Sequence, residues 1–188
     1  MTAESASSGA GGGTNSGSSA LIAALLELDR HIAADGWAQP PRLFALVRTA
    51  ELLAAEPELA GSLGGPRSGS GGWPDALSAI EQDDFAPTDD LIADLARISW
   101  PPTVSGCAVS LVRSFLPSTV EAGIPDEDES AIAYVATHPE RQEVRVVVGV
   151  DRDGRRHGLG RLASQPDELL AAEDLVPGLA VVLAHTLI

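Results

Sequence analysis

The sequence predicts an α+β fold: a small antiparallel sheet of about three strands packed against several helices in a single domain. Three observations predict it. Apolar residues recur at helical spacing through the N-terminal half and again at the C-terminus, period-two alternation is confined to residues 104–162, and the chain length suits one core. At 188 residues and 44% hydrophobic content, one domain of ordinary size is expected.

Residues 1–18 are rich in Ser and Gly with almost no apolar mass, which predicts a disordered leader ahead of a domain spanning 19–188. From 19 to 34, Leu21, Ile22, Leu25, Leu26, Leu28 and Ile32 recur at helical spacing, and Asp35-Gly36 supplies the stop. Pro40-Pro41 then opens a second predicted helix, whose apolar face (Leu43, Phe44, Leu46, Val47, Ala50, Leu52, Leu53) runs to Glu56-Pro57. Glycine and serine at 61–72 read as a flexible surface loop. A short helix over 75–82 follows. A better one, capped by Thr88, runs from 89 to 98 with Leu91, Ile92, Leu95 and Ile98 on one stripe.

Trp100-Pro101-Pro102 breaks the helical pattern, and 104–115 alternates as a strand. Acids at 126–129 ahead of Ala131, Ile132, Tyr134 and Val135 mark a helix start, because carboxylates in a first turn meet free amides and the positive end of the helix dipole. Strands at 143–150 and 155–162 flank Asp151-Arg152-Asp153-Gly154 as a hairpin. Pro166 opens a short helix through Leu170, and Pro177 opens a last one over 178–187 that is apolar nearly all round and therefore buried.

Two hairpin registers compete. A three-residue loop with Gly154 left-handed sets Val144 against Leu162 and puts Arg145, His157, Leu159 and Arg161 on one face; a two-residue Asp153-Gly154 turn puts Arg161 among the core valines. The first is favoured, since the second buries a guanidinium at a large desolvation cost unless it is paired.

Charge singles out the same hairpin. The chain carries −15 and no lysine, yet residues 141–162 hold six of the twelve arginines against three acids. The overall charge argues against nucleic-acid binding, which needs a concentrated basic face, and the absence of lysine excludes Schiff-base, P-loop and Ser-Lys chemistry. Cys107 is the only cysteine, so no intrachain disulfide forms and a reducing, cytoplasmic setting is expected. No apolar stretch approaches the ~20 residues that span a bilayer, so no membrane association is expected.

Most motifs have plain readings. Gly158-Leu159-Gly160-Arg161-Leu162-Ala163 spells a dinucleotide fingerprint, but inside a hairpin strand with no helix to follow; close packing against the glycines accounts for it. The acids at 81–94 and 126–129 lack the offsets of a calcium loop and read as caps and solvated faces. The four histidines have no metal-ligand spacing, no nucleophile stands in a recognisable catalytic pattern, and neither a metal nor a cofactor is expected. Trp37, Trp73 and Trp100 lie at element boundaries, where they plug core edges.

Residues 41–51 (Pro-Arg-Leu-Phe-Ala-Leu-Val-Arg-Thr-Ala-Glu), 79–83 (Ala-Ile-Glu-Gln-Asp), 98–107 (Ile-Ser-Trp-Pro-Pro-Thr-Val-Ser-Gly-Cys) and 173–179 (Glu-Asp-Leu-Val-Pro-Gly-Leu) carry a resemblance. Through them the chain resembles an uncharacterised actinobacterial family of small acidic proteins, from about residue 20 onward. The resemblance implies a single α+β domain in the cytoplasm of a GC-rich bacterium, and no activity or site residue.

The functional expectation is a non-catalytic protein-interaction or adaptor domain that uses the basic hairpin. Arg145, Arg155, His157 and Arg161 form its contact face toward an acidic protein or a small anionic ligand, with homodimerisation through a sheet edge left open. The alternative is an enzyme or metabolite-binding protein with an anion pocket near His157.

Overall fold

A computed structural model describes residues 13–58, 75–117, 119–120, 123–125 and 127–188. Its elements run α1 (Gly13–Ala34), β1 (Arg42–Arg48), α2 (Thr49–Ala55), β2 (Leu77–Glu81), α3 (Leu91–Leu95), β3 (Gly106–Phe115), α4 (Asp128–Thr137), β4 (Gln142–Asp151), β5 (Arg156–Leu162), β6 (Gln165–Ala172) and α5 (Pro177–His185). The fold is α+β, but the sheet among the described residues has six strands instead of about three, ordered β2-β1-β3-β4-β5-β6 and antiparallel throughout.

Three segments expected as helices are strands. In β1, Leu43 and Ala45 face one layer while Phe44 and Leu46 face the other, so a strand buried on both sides shows an unbroken apolar run that imitates a helix. Strand β2 pairs with β1 along the sheet edge, and β6 pairs with β5 although Asp167, Glu168, Leu169 and Leu170 favour helix in isolation. Cross-strand pairing overrides that weak local preference. Pro166 is tolerated because β6 is the other edge.

Other boundaries moved less. Helix α1 begins at Gly13 instead of residue 19, so the end of the expected leader is helical; residues 1–12, the expected loop at 61–72 and Trp73 lie outside the described residues. Asp90, not Thr88, caps α3, its carboxylate accepting from the Ala93 N–H at 3.0 Å. Thr88 instead donates its N–H and hydroxyl to Asp94, which holds that carboxyl below its usual range.

Side chains alternate across the sheet and build two cores. On one face Leu21, Ala24, Leu25, Leu28 and Ile32 of α1 pack on Phe44, Leu46, Ala108, Val147 and Leu159. On the other, Leu91 and Leu95 of α3 and Leu179, Ala180 and Leu183 of α5 pack on Leu43, Cys107, Val109, Leu111, Val146, Val148 and Val150. Burying each large aliphatic side chain contributes roughly 1.5–3 kcal/mol, so these two layers carry most of the driving force. Gly149 brings α1 close to β4: a Cβ there would lie 2.6 Å from a methyl of Leu25.

Candidate functional site

The hairpin closes by a three-residue loop. Val144 faces Leu162 and Val150 faces Arg156, the Asp151 N–H donates to the Arg155 carbonyl at 3.0 Å, and Gly154 adopts φ 79°, which glycine enters without strain. Asp151 is buried and organises the loop. One of its oxygens accepts the N–H groups of Asp153 and Arg155 at 3.0 and 2.9 Å, and the other accepts the Arg155 guanidinium at 2.9 Å. That bond to Asp151, more than the neighbouring Asp153, raises the Arg155 pKa above the usual arginine value.

The remaining hairpin arginines are also engaged. Arg152 donates to the carbonyls of Val104 (2.8 Å), Trp100 (3.1 Å), Pro101 (2.9 Å) and Leu187, fastening the end of the α5 layer to the loop. Arg156 grips Asp174 with two nitrogens at 2.6 and 3.1 Å.

Arg145 and Arg161, neighbours across β4 and β5, converge on one carboxylate, Asp29 of α1, at 3.4 and 2.7 Å. The Arg145 side chain is 4% exposed and stacks 5.1 Å from the ring centroid of Trp37, whose indole N–H and the Arg145 Nε–H both lack a protein acceptor. The α1 helix covers the face on which these arginines stand. The expectation that Arg145, Arg155, His157 and Arg161 together present an outward contact face is therefore corrected in its geometry: the first is internal, and at the loop end of the hairpin His157 lies about 13 Å, and Arg155 about 20 Å, of strand from Arg161.

His157 borders an open cleft of about 380 Å³ with Ser18, Ile22, Gly154, Arg156 and Glu173. Burial lowers its pKa, while the nearby Glu173 carboxylate opposes the shift. The two guanidiniums in this wall, Arg155 and Arg156, are both in ion pairs. Cys107 is fully buried, its thiol pushed up to about 11 by desolvation, and it is not a nucleophile in this setting. Among the described residues no three His, Cys, Asp or Glu side chains converge as metal ligands, and no described helix is long and apolar enough to cross a membrane.

The residue that sequence reasoning missed is Asp29. Its signal was its spacing: Leu21, Leu25, Asp29 is an i, i+4, i+8 series, so a carboxylate stands in the apolar stripe and requires a cationic partner on the sheet beneath.

The opposite face of the sheet is covered unevenly. The short helices α3 and α5 lie over its centre, while at the far end Leu170 is 46% and Phe115 36% exposed, and Val144 and Leu162 are half-buried. Ile80, Ile92 and Val181 are exposed in the same layer; Leu169 is the exposed large apolar residue of β6 on the α1 side. Arg113, on the same face of β3, is exposed and is the one arginine among the described residues with neither an ion pair nor a hydrogen bond.

No curated protein and no solved structure matches the chain. The family model described as PPA1309-like protein matches residues 21–188, which take in all six strands and every helix except the first eight residues of α1, and the chain belongs to that family.

Proposed function

We propose that the chain is a non-catalytic protein-interaction domain whose contact surface is the incompletely covered face of the sheet. The observation that carries this reading is the distribution of charge pairing and apolar exposure. Eight described arginines meet carboxylates of the same molecule, while Ile80, Ile92, Phe115, Leu170 and Val181 stand exposed in the layer that holds α3 and α5. Exposed apolar patches of this kind are how soluble domains engage partners. The buried free thiol of Cys107 agrees with a reducing, cytoplasmic setting. The test is affinity capture from the cell of origin with wild-type and Leu170→Glu chains in parallel, each captured protein then being purified and titrated against both. A partner held by the wild type and released by the variant supports the reading; identical capture by both sinks it.

The cleft beside His157 favours a second reading, a small-anion or metabolite site, because its volume of about 380 Å³ lies within the range of ligand pockets. A thermal-shift screen against phosphorylated and carboxylated metabolites tests it, since a specific ligand raises the melting temperature by mass action.

A further inference from the structure

At the open end of the sheet Arg113 stands among apolar side chains, with the uncharged Gln142 opposite Phe115 and Gln165 opposite Leu162. The register sets Arg113 against Val144 and Val144 against Leu162, so the three side chains form a single row across β3, β4 and β5. In the next row Gly160 faces Leu170. A Cβ at Gly160 would lie 3.2 Å from Leu175, 3.7 Å from Val144 and 3.8 Å from Leu170, so Gly160 is buried beneath Leu175 and these three apolar side chains adjoin one another around it. Phe115, two residues beyond Arg113 on the same strand face, borders the other side.

Arg113 is out of keeping with the rest of the chain. Twenty-seven acids accompany twelve arginines, and every other described arginine has an ion pair or donates to a carbonyl. A partner that covers the row with neutral apolar side chains would strip water from this guanidinium without replacing it, which is unfavourable. A basic segment, although drawn to a molecule of net charge −15, would meet like charge at this spot. A second copy of the chain would bring another −15 with it.

Resting on the interaction-domain reading, we infer that the strip from Arg113 to Leu170 receives a segment of another protein in which an Asp or Glu side chain is flanked by large apolar residues. The apolar residues cover Val144, Leu162 and Leu170. The carboxylate takes a two-point hydrogen bond from the Arg113 guanidinium, a geometry that a lysine could not reproduce.

A random peptide library displayed on phage, selected on the purified full chain and in parallel on Arg113→Glu and Leu170→Glu chains, tests this. Both positions are exposed, and unchanged circular dichroism and melting temperature establish that the variants fold. The wild type is expected to enrich peptides with an acid among large apolar residues. Arg113→Glu should exchange that acid for Lys or Arg and weaken the wild-type peptide at least about tenfold, as expected of a charge pair that is lost and reversed. Leu170→Glu should lose the peptides. Peptides that depend on Leu170 but carry no acid, or are indifferent to Arg113→Glu, overturn the carboxylate inference and leave the interaction domain standing. Absence of enrichment, or indifference to both variants, overturns both. A dimer in sedimentation velocity that Leu170→Glu dissociates assigns the strip to a second copy and overturns the inference in that way.

Discussion

The two faces of the sheet treat the same kind of side chain in opposite ways. On the α1 face a helix of 22 residues lies over the strands and supplies Asp29, so Arg145 and Arg161 are drawn inside and held there. On the other face the covering helices are 5 and 9 residues long, and beyond their reach Arg113 stands in water beside apolar neighbours. A cluster of positive residues along a chain is therefore a poor guide to where the molecule offers positive charge. The outcome depends on which face of a strand each residue occupies and on how far the cover over that face extends.

The most forceful way to break the comparison is to remove the carboxylate on the closed face. Asp29→Ala leaves two guanidiniums beneath α1 with no counter-charge, and the expected loss is about 3–5 kcal/mol of unfolding free energy, measured by urea denaturation. Replacing all three charged groups by apolar ones (Asp29→Leu, Arg145→Met, Arg161→Met) should recover most of that loss, because the desolvation cost leaves with the charges. If the single substitution is nearly silent, the cluster is not what closes this face.

A gentler comparison uses one methyl group on each side. At Gly149 a new Cβ would press on Leu25, which is fully buried and cannot retreat, so Gly149→Ala should cost about 1–3 kcal/mol. At Gly160, on the other face, the nearest atom would be a methyl of the partly buried Leu175 at 3.2 Å and the next lies at 3.7 Å, so Gly160→Ala should cost less than about 1 kcal/mol. Equal losses in thermal melts would show that the two faces are packed alike. On the open face, Leu170→Glu should change stability by no more than about 0.5 kcal/mol while abolishing partner binding, since the side chain is already partly in water.

How much of this was legible in the sequence follows the same division. The hairpin and its register were readable because Gly154 and the alternating valines are local signals, and α1, α4 and α5 were readable from helical periodicity. Strands β1, β2 and β6 were not. The double burial of β1 removed its alternation, and β6 is a helix-favouring segment made extended by its neighbour. The arginine-rich hairpin was conspicuous as a composition, but its partners, Asp29 and Asp174, lie 116 and 18 residues from the arginines they meet (Arg145 and Arg156), a relation that periodicity does not encode. Arg113 drew no notice because a lone arginine at the end of a strand is unremarkable until every other one has been accounted for.

The smallest predicted effect sharpens the comparison at the loop end, where α1 meets the hairpin beside His157. Burial favours the neutral imidazole, so the folded pKa lies below that of the unfolded chain, which is about 6.5. Above that value both states are neutral and His157 leaves stability unchanged. As pH falls below it, the unfolded chain takes up a proton that the folded one refuses, and stability declines until the lowered folded value is reached. The midpoint of urea unfolding should therefore fall less between pH 7.5 and pH 5.5 in His157→Gln than in the wild type, the difference between the two chains cancelling the carboxylates that titrate in both. Inorganic phosphate separates the two functional readings here. An anion seated in the cleft would favour the imidazolium and raise the His157 pKa, shrinking that difference, whereas a cleft with no anion site would leave the imidazole titration, followed by NMR, where it stands in phosphate-free buffer of equal ionic strength.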